Sequence, residues 1–479
     1  MATPIPENQA PFDVEQLVRR TSGRLLAGGT RGSGGAGITS DSRAVRPGSL
    51  FVALRGEVHD GHAFLAAADA QGAAVVVVDE RADASVVKNA AVVVVPDTLV
   101  AWADIAAGHL EAWRAASPGH ARKPVLAITG SAGKTTTKEM VASLLALRGA
   151  VRKTQGNLNN RIGLPATVLT LDASVAYAVL EAGMSLPGEM AELGRVACPD
   201  VATIVNVGLA HAEGVGGREG VAREKGALYQ YLAEGGTAVV NVDDEHASGE
   251  VQRAPSPRVV GFGKDPAAAY CLLGREPSGT HATVRLRTPT GERIVRSPFV
   301  GEAHAVDLAC ALACAEAVAA PFSSEEIERA LSSMRLDGRG TLHVLGDGTW
   351  VVDDSYNANP MSMRASLASL RDMAGDRRVV AVLGEMRELG DFSAAEHDAL
   401  GDEVAKLGVR LLISCGGEMD RAAARAEAAG VEVVRAKDAA DAGKLAIARV
   451  SGKDVVLVKA SRGVRAERVV EALVADRSK

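Results

Sequence analysis

Short aliphatic runs recur along the chain, each followed by a polar or glycine-rich turn and then by a stretch with helical spacing. The runs predict strands at 50–53, 74–78, 91–95, 125–128, 176–180, 201–207, 237–241, 350–352, 379–383, 409–413, 431–434 and 455–458. The intervening stretches predict helices, among them 62–71, 99–116 and 137–147. Strands that alternate with helices are typical of mainly parallel sheets covered on both faces, so we predict an α/β fold.

Breaks in this pattern predict three domains, at residues 1–97, 98–337 and 338–479. We expect a small N-terminal α/β domain, a central parallel-sheet domain and a C-terminal Rossmann-like α/β domain without the G-x-G-x-x-G fingerprint. The glycine-rich stretch 28–37 predicts a flexible loop. The span 255–290 departs from the alternation and predicts an antiparallel addition to the central sheet.

Composition narrows the classes of function. The net charge of -6 and the pI near 6.0 argue against a general nucleic-acid or anionic-membrane binder. We see no secretory signal and no apolar run near the ~20 residues that a membrane span needs. The five cysteines form no C-x-x-C pair, which favours a reducing cytoplasm.

The most specific chemical signal is the segment TGSAGKTT, which directly follows the predicted strand at 125–128 and precedes a predicted helix. Strand, glycine-rich turn and helix together form a cradle for phosphate. Lys134 would contact the outer phosphates and the Thr135 hydroxyl would accept a Mg²⁺ ion. The candidate nucleotide-binding residues in this segment are Gly130, Ser131, Gly133, Lys134, Thr135 and Thr136.

Three polar residues of the central region invite a functional interpretation. Glu181 ends a predicted strand, where a carboxylate suits Mg²⁺, although it could be an exposed loop acid. His211 follows another predicted strand and could bind metal or substrate, or be structural. Lys225 lies on a predicted helix, and the residues around it favour a solvated side chain.

Two C-terminal segments also carry candidate binding groups. VVDDSYNANPMSM places Asp354, Tyr356 and Asn357 after a strand, where they could contact ribose and base. A helix cap with an Asx turn explains the same pattern, and both can hold. LVKASRGV places Lys459, Ser461 and Arg462 after another strand, either for an anionic ligand or as a surface basic turn.

Taken together, these segments resemble the ATP-dependent Mur ligases of bacterial cell-wall synthesis. The motifs, in chain order, are DSRAVRPGSLFVALRGEVHDGH, TGSAGKTT, NLNNRIGLP, EAGMSLPGEM, DDSYNANPMSM, LGEMRELG and KASR. Within that family the chain is most similar to the members that join D-alanyl-D-alanine to UDP-N-acetylmuramoyl-tripeptide. The first domain then resembles a UDP-precursor-binding domain.

The resemblance implies roles for single residues. Lys134, Thr135 and Glu181 would hold ATP and Mg²⁺, and His211 a second Mg²⁺. Lys225 matches a carbamylated lysine, against its interpretation as a solvated side chain. The other implied contacts are Arg339 with phosphate, Asp354 with ribose, Ser42 and Arg43 with uridine diphosphate, and Asn157 and Asn160 with the sugar-peptide.

One motif departs from the family. Where the family carries G-x-H-N-x-x-N near the base, this chain has Ala303, His304 and Asp307 in place of the histidine and the two asparagines. The adenine contacts would therefore differ, although Asp307 could still accept from an amino group. In KASR, Ala460 replaces a glycine.

The implied activity is ATP-dependent amide formation through an acyl phosphate, in a cytoplasmic monomer with two Mg²⁺ ions and no nucleic-acid or membrane partner. Two alternatives remain: a folylpolyglutamate synthetase-like ligase and a nucleotide switch without ligase activity. The UDP-type N-terminal segment argues against the first, and Glu181, His211 and Lys225 argue against the second. The third residue of the peptide substrate, meso-diaminopimelate or lysine, is left open.

Overall fold

The computed structural model describes residues 3–56, 59–116, 122–209, 212–255 and 257–477. The first part of the chain contains strands β1 (Pro11–Asp13), β2 (Arg24–Ala27), β3 (Gly34–Ala36), β4 (Ile38–Thr39), β5 (Leu50–Val52), β6 (Val75–Asp79) and β7 (Ala91–Val95), with helices α1 (Val14–Arg20) and α2 (Leu65–Ala70). Strands β2-β7-β6-β5-β4 form one sheet, parallel except at β2. Its valine-rich strands suit a sheet that is buried on both faces.

The central sheet has nine strands in the order β16-β15-β14-β13-β12-β11-β8-β10-β9. They are β8 (Val125–Thr129), β9 (Val151–Lys153), β10 (Tyr177–Glu181), β11 (Val201–Ile204), β12 (Thr237–Asn241), β13 (Arg258–Gly263), β14 (Tyr270–Ser278), β15 (His281–Thr288) and β16 (Gly291–Ser297). Its helices are α3 (Thr98–Ala115), α4 (Lys134–Leu145), α5 (Gly163–Val168), α6 (Glu189–Ala197), α7 (Ala212–Val215), α8 (Gly217–Gln230), α9 (Glu245–Gly249), α10 (Glu302–Glu316) and α11 (Ser324–Ser332).

The third sheet follows the order β17-β18-β22-β19-β20-β21 and is parallel except at β17. Its strands are β17 (Thr341–Val344), β18 (Trp350–Asp353), β19 (Arg378–Gly384), β20 (Leu411–Cys415), β21 (Glu432–Ala436) and β22 (Asp454–Lys459). Its helices are α12 (Pro360–Ala374), α13 (Ser393–Lys406), α14 (Met419–Ala428), α15 (Ala439–Arg449) and α16 (Glu467–Arg477). The predicted α/β class is confirmed.

Local details differ from the sequence prediction at three places. The span 255–290 is antiparallel only from β14 onward, because β13 pairs in parallel with β12 and extends the main sheet. The stretch 28–37 is not all loop, since β3 pairs with β1. Helix α4 begins at Lys134 rather than at 137, because Gly133 caps it with φ 77°.

The cores lie on both faces of each sheet. One large cluster joins the first sheet to one face of the central sheet through α3, and α4, α10 and α11 cover the other face. Aromatic residues are few, and the buried Trp102 indole on α3 donates to the Ile162 carbonyl at 3.0 Å. Helix α3 therefore links the first two parts of the chain by packing.

Candidate functional site

The segment between β8 and α4 has the backbone geometry of an anion cradle. Gly130 and Gly133 adopt positive φ, at 157° and 77°, which favours glycine. The first N–H groups of α4 have no partner within the helix and carry its partial positive charge. The side chain of Lys134 folds back, and its Nζ donates to the Gly130 carbonyl at 2.7 Å. The loop thus offers backbone donors and one movable cation.

Two asparagines hold this loop in place. The amide of Asn206 is paired in both directions with the backbone of Ala132, at 2.8 and 3.1 Å. Asn359, at the N-terminus of α12, donates to the Ser131 carbonyl at 3.1 Å. The Ser131 hydroxyl donates to the Gly208 carbonyl at 3.0 Å. Because Asn359 lies beside the third sheet, the C-terminal part of the chain contacts the loop directly.

Glu181, at the end of β10, lies beside the first turn of α4 and is 1 % exposed. Its Oε2 accepts from the Thr135 hydroxyl at 2.8 Å, and its Oε1 accepts from the Asn159 amide at 2.8 Å. The Nζ of Lys138 lies 3.7 Å from Oε2. The structure therefore brings together the two predicted metal-binding oxygen groups, Glu181 and Thr135.

The charges around Glu181 favour its ionised form. Burial opposes ionisation, but Lys138, Arg339 and Lys134 together hold the pKa of the Glu181 carboxyl below its usual value. Arg339 also acts on Lys134, whose pKa is lowered by burial and by that arginine despite the attraction of Glu181. Arg339 and Lys134 thus both favour the ionised form of one buried carboxylate.

Lys225 lies on α8 and is 1 % exposed, contrary to a solvated side chain. Burial, with a further contribution from Lys134, lowers the pKa of Lys225 well below its usual value. Within the described part of the chain, its Nζ makes no hydrogen bond or ion pair. Lys225 is therefore a buried amine whose environment disfavours its charged form. The prediction for His211 lies outside the described residues.

Asp307, on α10, packs against the phosphate loop. A Cβ on Gly133 would lie 2.6 Å from the Asp307 Oδ1, so the close approach requires glycine. Burial raises the pKa of Asp307 to about 8, and the carboxyl is therefore protonated at neutral pH. In that form it both donates and accepts, as an asparagine amide does. Thr136 is buried in the first turn of α4.

The C-terminal part contributes two positively charged side chains, Arg339 and Arg462, to one side of a cleft. The guanidinium carbon of Arg339 lies 4.0 Å from the centre of the Tyr356 ring, and that of Arg462 lies 5.2 Å from the same ring. These residues face α4 across a cleft of 410 Å³. The cleft is lined by Thr135, Lys138, Glu139, Gly156, Arg335, Leu336, Asp337, Gly338, Arg339, Asp353, Ser355, Tyr356, Arg462 and Glu467.

Asp354 and Lys459 form an ion pair in the same C-terminal part of the chain. The Lys459 ammonium donates to Asp354 at 2.6 Å and to the Asn357 carbonyl at 2.9 Å. The Ser461 hydroxyl donates to the Ala358 carbonyl at 3.4 Å. The predicted groups of the two C-terminal segments therefore hold each other, which gives both segments a structural role alongside the predicted binding role.

The N-terminal candidates lie beside the first sheet. Arg43 and Asp41 form an exposed pair at 2.7 Å, next to Ser42 in a short turn after β4. Among the described residues, no contact joins Ser42 or Arg43 to the phosphate loop. The structure leaves the Arg43 side chain 88 % exposed.

The three asparagines of the NLNN segment, Asn157, Asn159 and Asn160, make different contacts. The Asn160 side chain accepts from the Ile162 and Gly163 N–H groups, at 3.1 and 2.9 Å, where α5 begins. Asn157 is exposed, and its backbone N–H donates to the Thr3 hydroxyl at 3.4 Å. Asn159, which the sequence prediction passed over, is the asparagine that contacts Glu181.

Comparison with known proteins decides the family. The models described as "Mur ligase family, catalytic domain", "Mur ligase middle domain" and "Mur ligase, glutamate ligase domain" match residues 36–109, 128–315 and 325–462. The UDP-N-acetylmuramoyl-tripeptide–D-alanyl-D-alanine ligase of Escherichia coli (strain K12) is 35% identical over 439 residues, which cover 91% of this chain and 93% of that protein. The chain belongs to the Mur ligase family.

Solved structures share the whole architecture of this Mur ligase. The crystal structure of MurF from Acinetobacter baumannii matches with a TM-score of 0.85 and 31% identity, covering 98% of this chain and 99% of that one. The MurF ligase from Thermotoga maritima, solved in complex with ADP, matches with a TM-score of 0.80 and 28% identity, covering 92% and 97%. The predicted three-domain architecture and the recognition of the family are confirmed.

The donor set of this Mur ligase fits a magnesium ion held jointly with phosphate. Glu181 and Thr135 supply hard oxygen atoms, and Mg²⁺ usually takes only one or two protein carboxylates beside phosphates and water. Across the described ranges, no group of three or more His, Cys, Asp and Glu side chains is placed to hold a metal ion.

Sequence reasoning missed the residues of this Mur ligase that act through other residues. Asn206, Asn159 and Lys138 hold the loop or Glu181, and each lies within or near a segment that the motifs had singled out. The available signal was their position beside strand ends and one helical turn after the loop.

No helix in the described part of this Mur ligase is long and apolar enough to cross a bilayer.

Proposed function

We propose that this Mur ligase forms an amide between the terminal carboxylate of UDP-N-acetylmuramoyl-tripeptide and the amine of D-alanyl-D-alanine, using ATP. The observation that carries this proposal is the cleft lined by Thr135 of the central part and Arg339 of the C-terminal part, with the buried Glu181 carboxylate bound to the Thr135 hydroxyl. The identity of the substrates rests on the relatives named for this reaction, which match the chain over nearly its whole length.

The chemistry follows from the poor reactivity of a free carboxylate. An oxygen of the tripeptide carboxylate attacks the γ-phosphorus of ATP, ADP leaves, and an acyl phosphate results. The amine of D-alanyl-D-alanine attacks the acyl carbon, phosphate leaves with the electrons of the C–O bond, and the ammonium intermediate loses a proton. Positioned cations are the main requirement of phosphoryl transfer. The cleft presents Arg335, Arg339 and Arg462, and Lys134 lies at the start of the adjacent helix α4.

Glu181 and Thr135, with His211, would hold up to two Mg²⁺ ions, which would neutralise charge on the transferring phosphoryl group. Lys225 would be carbamylated: its neutral amine adds to CO₂ and releases a proton, which creates a further carboxylate. The burial and lowered pKa of Lys225 support this reaction, since only the free amine is nucleophilic.

The remaining ligand contacts complete the proposal. On the nucleotide side, the loop residues Gly130, Ser131, Gly133 and Thr136 would bind phosphate, while Asp307, Asp354, Tyr356 and Asn357 would bind adenosine. On the substrate side, the contacts would be Ser42, Arg43, Asn157, Asn160, Lys459, Ser461 and Arg462. We place the domains at 1–97, 98–337 and 338–479, and propose a cytoplasmic monomer.

Phosphate release from ATP tests this function. We expect release only when both UDP-N-acetylmuramoyl-tripeptide and D-alanyl-D-alanine are present, with one amide product per phosphate. Running both precursor peptides, with lysine or meso-diaminopimelate at the third position, identifies the substrate. Release that needs neither substrate would favour a nucleotide switch, and release driven by a folate and glutamate would favour the folylpolyglutamate alternative.

A further inference from the structure

Lys138 is a buried cation one helical turn beyond Lys134, and the proposed chemistry gives it no role. It is 1 % exposed. Its Nζ donates to the Thr154 carbonyl at 2.7 Å and lies 3.1 Å from Glu139 Oε1 and 3.7 Å from Glu181 Oε2. A buried ammonium is stable only when oxygen atoms surround it, and here three of them do.

The contact with Thr154 connects Lys138 to Glu181 by a second route, through the backbone. The Thr154 hydroxyl accepts from the Glu181 backbone N–H at 2.9 Å, and its own N–H donates to the Val179 carbonyl at 3.1 Å on β10. Lys138 therefore touches the Glu181 carboxylate and, through Thr154, its backbone. Both attachments restrict where Oε2 can lie.

Lys138 differs from the other two cations near Glu181. Lys134 is held only by a carbonyl of its own loop, and Arg339 stacks on Tyr356 at the cleft. Under the proposed function both turn to the phosphates of ATP. Lys138 is tied to a backbone carbonyl and to Glu139, which is itself paired with Lys153. It stays with Glu181 when the other cations leave.

We propose that Lys138 is a positioning residue for the metal–nucleotide site, fixing the orientation and balancing the charge of the Glu181 carboxylate. This inference rests on the proposed function, because it assumes that Glu181 meets a metal–nucleotide complex. Lys138 does not contact phosphate or metal itself; it acts through Glu181.

Metal binding without turnover tests the inference. Mn²⁺ is titrated by electron paramagnetic resonance into protein saturated with a non-hydrolysable ATP analogue. We expect Lys138→Met to weaken Mn²⁺ binding by tenfold or more and Lys138→Arg to restore part of it. Lys153→Met, which removes a cation from the same cluster without touching Glu181, should stay within twofold of wild type. Binding of the analogue without metal should change less than twofold in Lys138→Met.

The sign of the effect is diagnostic. By charge alone, removing a cation beside a cation site tightens metal binding, so weakening is expected only if Lys138 holds the carboxylate in place. A lysine that bound phosphate directly would instead weaken the metal-free analogue. Either of those results, or Mn²⁺ binding within twofold of wild type, would overturn the inference.

A double-mutant cycle covers the case in which Lys138→Met leaves Glu181 unpaired and the protein does not fold. Lys138→Met combined with Glu181→Gln removes both charges. It should bind Mn²⁺ as Glu181→Gln does, whereas an added loss in the double variant would overturn the inference. If the wild-type protein does not bind Mn²⁺ with the analogue, the proposed function and this inference are overturned together. If the wild type binds Mn²⁺ and Lys138→Met binds it equally well, only the inference is overturned.

Discussion

Replacing Asp307 by asparagine keeps the shape of the side chain and removes its titratable proton. In the folded chain burial raises the pKa of Asp307 to about 8, whereas in the unfolded chain the carboxyl ionises near its ordinary value of 3.8. Between those values unfolding releases a proton, so stability of the wild type falls as pH rises. The asparagine variant lacks this slope, and its advantage over the wild type grows with pH.

The magnitude follows from the two pKa values. One pH unit within this window changes the free energy of unfolding by ~1.4 kcal/mol, so about two units, from about pH 5.5 to about 7.5, give ~2.7 kcal/mol. The positive end of α4, which Asp307 faces across Gly133, favours the ionised form by up to ~1 kcal/mol. We therefore expect the difference between Asp307→Asn and wild type to widen by about 2 kcal/mol over this range.

The assay has to report on the central sheet, because a three-domain chain does not unfold in one step. Native-state hydrogen exchange of the α10 amides, compared between variant and wild type at equal pH, gives the local free energy of opening. Infrared difference spectra of wild type minus variant should show a protonated carboxyl at about pH 6 that disappears towards about pH 9. Asp265→Asn, at an exposed carboxylate, is the control and should show neither effect.

A difference between Asp307→Asn and wild type that is the same at both pH values would refute this reasoning. It would mean that Asp307 is already ionised in the folded chain. An ionised carboxylate against the phosphate loop would repel the nucleotide phosphates. The loop would then need a compensating cation that the contacts of Asp307 do not supply.

Three further substitutions test other parts of the site. Gly133→Ala forces a Cβ to 2.6 Å from Asp307 Oδ1 and should weaken ADP binding at least tenfold by calorimetry; Gly188→Ala, also at positive φ but in open space, should leave it unchanged. Lys225→Ala should lose at least 99 parts in 100 of the phosphate release, which corresponds to a rise of about 3 kcal/mol in the activation free energy. Short-chain carboxylic acids should restore part of this activity. Full activity of the variant would contradict the proposed carbamate. Asn359→Asp keeps the oxygen that caps α12 but loses the bond to the Ser131 carbonyl, so the KM for ATP should rise about fivefold at an unchanged melting temperature; an unchanged KM would contradict this.

The parts of the fold that could be predicted are those determined by residues adjacent in the chain. Runs such as the valines of β6 and β7 identify buried strands, and the phosphate loop is recognisable because its donors are adjacent in the chain. The direction of β13 was not predictable, because strand periodicity is the same in parallel and antiparallel pairs. The early start of α4 depended on the positive φ of Gly133, which a propensity argument does not contain.

Long-range partners explain most of what the sequence prediction missed in the site. The bond from Asn359 to the Ser131 carbonyl joins two domains, and no local pattern announces it. Lys225 was expected, taken alone, to be a solvated lysine on a helix, yet it is buried while the preceding Arg223 and Glu224 are not. Which face of α8 meets the central sheet is decided by packing, so the resemblance to a family supplied a role that residue type alone did not.

Three lysines surround one buried region, and their oxygen partners distinguish them. Lys138 has three oxygen neighbours on three different residues, so its charge is fixed in place. Lys134 has one, a carbonyl of its own loop, which an incoming phosphate can replace. Lys225 has none among the described residues, and burial lowers the pKa of its amine well below the usual value. One residue type thus occupies three different environments, because the number of fixed oxygens around each Nζ decides how firmly it is held and how strongly burial disfavours its charge.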